Sequence, residues 1–174
     1  MLDHLHKRFP GLSAKMGAVL SEAAMVSFER QNHVSGVNLT VSGEKNECFE
    51  IIWSGKMDTQ ISNSWLDQEE ATEFGAVGMS VLLAIFNTGF TVIERAIKYS
   101  GIDYWLGYSD GLMFEKSARL EISGIFKGSR AMVNKRVMTK QRQVAQSHSS
   151  NLPVYVSVIE FGEPFAKFER YGNV

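Results

Sequence analysis

An α/β fold is predicted by three features of the sequence. The apolar period switches between helical and alternating along the chain, and glycine, proline and polar clusters fall at the switches. A strongly apolar strand at residues 154–161 follows a helix, so it can run parallel to a neighbour through a right-handed crossover. The resulting order is a helix, a three-strand meander, a helix and a strand, preceded by an N-terminal helix and a β-hairpin. The 174 residues, 44% hydrophobic and 21% charged, suit one domain with one sizeable core. Residues 64–171 make that core, and residues 1–63 decorate it.

Residues 12–31 read as a helix. Ser13 can cap it, and Met16, Leu20, Ala23, Ala24 and Phe28 recur at helical spacing. Residues 37–41 and 48–53 are rich in β-formers around the turn Ser42-Gly43-Glu44-Lys45-Asn46, which gives a hairpin. The apolar run from Cys48 to Trp53 suggests a packed, inert thiol. Residues 54–63 are a polar connection. A long helix then spans 64–87, with Asp67 and Glu70 spaced as a capping box and Thr88-Gly89 as its stop. Gly75 and Gly78 inside it each cost about 1 kcal/mol relative to alanine, which close packing against another backbone would explain. Strands are expected at 90–97, 102–108 and 118–126, with a polar turn over 108–116. The helix 130–146 contains no acid, a Ser-rich loop covers 146–151, and a last short strand covers 165–171.

Composition excludes several classes of function. A net charge of −1 leaves no global field toward nucleic acid or anionic lipid, so any phosphate attraction must be local. One cysteine rules out an intramolecular disulfide and fits a reducing compartment. The N-terminal ten residues lack an apolar signal core, and the longest apolar run, Met79 to Phe86, is too short to span a bilayer. A cytoplasmic location without membrane association is expected. His4, His6, His33 and His148 are scattered, so no zinc site is proposed.

The chemistry-bearing residues are acidic. Asp103 opens the second core strand after Gly101-Ile102, and Glu121 lies in the third. Alternation places Arg119, Glu121 and Ser123 on one face of that strand and Leu120 and Ile122 on the other. The connection between Asp103 and Glu121 is long enough for a hairpin that sets them side by side. The long helix adds Glu69, Glu70 and Glu73. Two strand carboxylates and one helical carboxylate would suit Mg2+ or Mn2+ with waters completing the shell. Each acid also has a plain reading, a solvated strand side chain or a turn cap. Tyr104 and Trp105 fall on opposite faces, one toward core and the other toward the site or an interface.

A helix carrying Glu, a β-rich strand after Gly89-Phe90, Gly101-Ile102-Asp103 and then Leu120-Glu121-Ile122-Ser123 resemble the PD-(D/E)xK nuclease superfamily, the restriction-endonuclease-like fold. The resemblance runs from about Asp67 to Phe161. It implies metal-dependent phosphodiester hydrolysis, with Asp103 and Glu121 as metal ligands and Glu73 or Glu70 as the helical acid. The family's lysine, two residues after the Glu, is Ser123 here, which donates a hydrogen bond but carries no charge. Lys98 or Lys127 could stand in for it, and Arg119 lies on the same face. The Asp103-Tyr-Trp-Leu-Gly107 segment also resembles one in small uncharacterised bacterial proteins, a likeness that implies no activity.

Helix 130–146 carries Arg130, Lys135, Arg136, Lys140 and Arg142, a concentrated cationic strip able to neutralise phosphates. It is equally an ordinary solvated helix face, with Lys135, Arg136 and Lys140 expected on the exposed side. The expected function is a Mg-dependent nuclease or nuclease-like nucleic-acid-binding protein. The alternative is a catalytically inactive nuclease-fold protein acting as an adaptor, through a protein partner or its own homodimer.

Overall fold

The computed structural model describes residues 2–108, 115–146 and 150–172. A 3-10 turn at Leu2–His6 precedes four α-helices, α1 (Ala14–Glu29), α2 (Thr59–Ser64), α3 (Gln68–Thr88) and α4 (Arg130–Gln146). The strands are β1 (Val37–Gly43), β2 (Glu47–Ile51), β3 (Thr91–Arg95), β4 (Tyr104–Gly107), β5 (Ala118–Ile125), β6 (Val154–Glu160) and β7 (Phe165–Tyr171). The centre of the expected turn at 108–116, the middle of the loop at 146–151 and His148 lie outside the described residues.

The strands form one open mixed sheet in the order β2-β1-β7-β6-β5-β4-β3. β6 runs parallel to β5, as its position after a helix suggested. Val154, Val156 and Val158 join Val133, Val137 and Val144 of α4 on one side. Tyr155 and Ile159 join the α1 and α3 cluster on the other. All seven β6 residues are buried for that reason.

α3 packs across α1 at close range. A Cβ on Gly75 would stand 3.0 Å from the Ala24 Cα, and one on Gly78 would stand 3.1 Å from the Leu20 carbonyl oxygen. The two glycines thus admit a neighbouring backbone, as expected. Asp67 caps α3 by accepting from the Glu69 and Glu70 amides, and Gly89 closes it in the left-handed conformation. α3 is long and apolar enough by composition to cross a bilayer, but 67% of its most apolar window is buried within the fold.

Four expectations are corrected. The hairpin is not a decoration, because β1 pairs in parallel with β7 and extends the same sheet. Within the expected polar connection, α2 forms behind an Asp58 cap whose carboxylate accepts from the Ile61 amide. Cys48 is exposed: β2 is the sheet's edge strand and turns Phe49 and Ile51 inward, so Cys48 shares the outward side with Glu50. Lys140 is not on the exposed face of α4, since its side chain retains only 22% exposure and is engaged with Glu121.

Candidate active site

β4 and β5 pair antiparallel, with Tyr104 opposite Leu120 and Trp105 opposite Arg119. Extending that register by one residue sets Asp103 opposite Glu121. The pleat turns Tyr104 and Leu120 into the core beneath α3, so Asp103 and Glu121 turn to the α4 side. Their carboxyls lie within hydrogen-bonding reach of one another. Asp103 also ends the β4 ladder. Its Oδ2 accepts from the Ile122 amide at 2.8 Å, taking the place of a strand carbonyl. Beyond that point β5 runs on without a β4 partner.

A cavity of about 630 Å³ opens along this uncovered edge. Its floor is the end of β5 and the residue after it, Ile122 to Phe126, and Asp103 stands at its side. Glu69 and Glu73 reach it from α3, Arg95 from β3, and Arg136 and Lys140 from α4. Gly124 permits this closeness: a Cβ there would sit 2.7 Å from the Thr72 carbonyl oxygen, so α3 crosses directly over β5.

Two cations of α4 meet the site. Lys140 Nζ donates to Glu121 Oε1 at 2.6 Å, and Arg136 Nη1 donates to Ser123 Oγ at 2.8 Å. Glu121 is only 6% exposed. Burial and then the charge of Asp103 push its pKa up to about 7, against the opposing pull of Lys140. Burial raises Asp103 as well, opposed by the Ile122 amide, Lys140, Arg95 and Glu121. Two carboxyls confined side by side, one buried and one on the cavity wall, are hard to ionise together, and a cation between them removes that conflict.

The other candidate residues are dispersed. Glu73 shares the cavity with Asp103 but does not complete a three-ligand cluster: among the described residues, no group of three His, Cys, Asp or Glu side chains converges on one point. Glu70 is not part of the cavity wall. Lys98 is exposed on the β3–β4 hairpin tip, 5.4 Å from the Tyr99 ring centre. Lys127 is exposed beyond β5. Arg119 donates to the Leu152 carbonyl from Nε and Nη2. On α4, Arg130 stacks 4.6 Å over Phe165. Lys135 and Arg142 are exposed. The cationic strip therefore divides between the site and the solvent.

Sequence reasoning named Lys140 but placed it on the exposed face of α4, and it missed Arg95. Lys140 had a legible signal, since it occupies an apolar-stripe position in the series Val133, Val137, Lys140, Val144. A lysine in such a stripe requires a partner. Arg95 follows Glu94 on β3, and nothing in its sequence neighbourhood marks it. No family model, curated protein or solved structure matches the chain.

Proposed function

We propose that the chain is a metal-dependent phosphodiester hydrolase acting on nucleic acid, on the PD-(D/E)xK plan, with Lys140 serving in place of the strand lysine that Ser123 replaces. One observation carries this reading: Asp103 and Lys140 line one cavity and both meet the buried Glu121 behind it, although the three belong to β4's entry, α4 and β5.

The donor set fits a hard divalent cation. Asp103 and Glu121 offer oxygen ligands, and the adjacent cavity leaves room for water and substrate oxygens. Bound there, Mg2+ or Mn2+ would polarise a phosphoryl oxygen and lower the pKa of a coordinated water. The chain's own groups do the remaining work. Lys140 favours the charged form of Glu121 against burial and the charge of Asp103, and presents an ammonium to charge developing on the phosphate. Arg95 and Arg136 line the same cavity and can pair with non-bridging phosphate oxygens. Gln68, Thr72 and Glu73 close the α3 side.

The test is cleavage of labelled single-stranded and duplex oligonucleotides by the purified chain. Cleavage with Mg2+ or Mn2+, abolished by EDTA, is expected. If neither metal supports cleavage of DNA or RNA in any form, the hydrolase reading fails, and an adaptor role on this fold becomes the better account.

A further inference from the structure

The β3–β4 hairpin continues past its last paired residues into an exposed tip. The Ala96 amide donates to the Asp103 carbonyl at 2.8 Å, and the chain then turns through Ile97, Lys98 and Tyr99. Ile97 is 82% exposed and Tyr99 is 93% exposed, the two most exposed large apolar side chains among the described residues. Tyr99 also holds φ 72, a left-handed backbone uncommon for a residue with a bulky side chain. Strain and apolar exposure thus coincide at one residue, four positions from both Arg95 and Asp103, which line the cavity.

We propose that this tip is a base-stacking platform, and that it makes the cavity selective for unpaired nucleotides. The inference rests on the hydrolase reading and specifies its substrate class. Every nucleobase has a π-face that stacks on an exposed aromatic ring, but a paired base hides it within the duplex. Lys98 stands 5.4 Å from the Tyr99 ring centre, where it can meet the phosphate next to a stacked base. The same strand would then pass Arg95, Arg136 and Lys140. A cavity of about 630 Å³ is the size of a small-ligand or nucleotide site. Ile97 flanks the stacked base and limits its contact with water.

The experiment measures binding in EDTA, so that no cleavage intervenes. Fluorescence anisotropy of a labelled single strand is compared with that of a blunt duplex of the same sequence, using the full chain. The single strand is expected to bind more tightly. Tyr99→Ala should weaken it about tenfold and leave the duplex unchanged, while Tyr99→Phe and Tyr99→Trp retain affinity. A 2-aminopurine base in the strand should be quenched by wild type and not by Tyr99→Ala. The exposure of Tyr99 keeps these variants folded. Equal binding of strand and duplex, or no effect of Tyr99→Ala, would overturn the proposal; the latter result is also the one expected if the tip instead docks a protein. The two readings fail separately. A chain that stacks unpaired bases but never cleaves keeps the platform and loses the hydrolase. A chain that cleaves both substrates regardless of Tyr99 does the reverse.

Discussion

Replacing Asp103 with asparagine is expected to abolish metal-dependent cleavage with metal-free binding of oligonucleotides nearly unchanged, and Lys140→Ala to lower the cleavage rate by about 10²–10³-fold. The two losses have different causes. Asp103→Asn removes ligand charge from the pair that would hold the cation. Lys140→Ala leaves both carboxylates but removes the ammonium 2.6 Å from Glu121. Because Lys140 draws the Glu121 pKa down, its removal lets that pKa rise. The acidic limb of the rate profile should therefore move to higher pH in Lys140→Ala. Lys140→Arg, which keeps the charge, should hold the limb near its wild-type position. A lysine that merely packed α4 onto the sheet would lower folded protein without moving the limb. Arg136→Ala should weaken substrate binding instead, since it contacts Ser123 and not the acid pair.

The second large effect concerns stability. Glu121 has its folded pKa raised to about 7 from its ordinary value of 4.5. The folded chain therefore holds this proton more tightly than the unfolded chain. The contribution of this group to stability is lost as pH climbs from about 4.5 to about 7, and the loss is complete above that window. Glu121→Gln removes the penalty. It should stabilise the metal-free protein at pH 8 by on the order of 2–3 kcal/mol, or about 5–10 °C in Tm, and have little effect at pH 4. Saturating Mg2+ should reverse the ranking at pH 8, because wild type gains binding energy that the variant lacks. Thermal unfolding of both proteins at the two pH values checks the sign. A destabilised Glu121→Gln at pH 8 would mean that the Lys140 ion pair outweighs burial and the Asp103 charge.

Local pattern made much of this molecule legible. α4 and β7 have the bounds that residues 130–146 and 165–171 suggested, because apolar period and turn residues mark both ends. The pairing of Asp103 with Glu121 also follows from local information, since a meander and strict alternation force it. The wider sheet does not. β1 meets β7 through Thr40 opposite Phe165 and Gly43 opposite Phe168, a pairing between chain segments more than a hundred residues apart that no local period encodes. Gly43 records it in retrospect, since a Cβ there would fall 2.0 Å from the Phe168 carbonyl oxygen. The exposure of Cys48 departs from the expectation because the run to Trp53 is not uniformly apolar. Glu50 within it already marks an outward face, and alternation assigns Cys48 and the 46% exposed Ile52 to that face. Lys140 departs from the expectation because like charges along one helix need not share one surface. The valine stripe through which it passes shows this.

The central claim is that Asp103 and Glu121 together hold a divalent cation. Mn2+ binding followed by electron paramagnetic resonance at pH 8 tests it most directly, because it needs no substrate and no turnover. The account predicts one Mn2+ per chain, displaced by excess Mg2+, lost in Asp103→Asn and in Glu121→Gln, and retained in Glu70→Gln and in Tyr99→Ala. Binding that survives both Asp103→Asn and Glu121→Gln, or no binding by the wild-type chain at millimolar Mn2+, would contradict it.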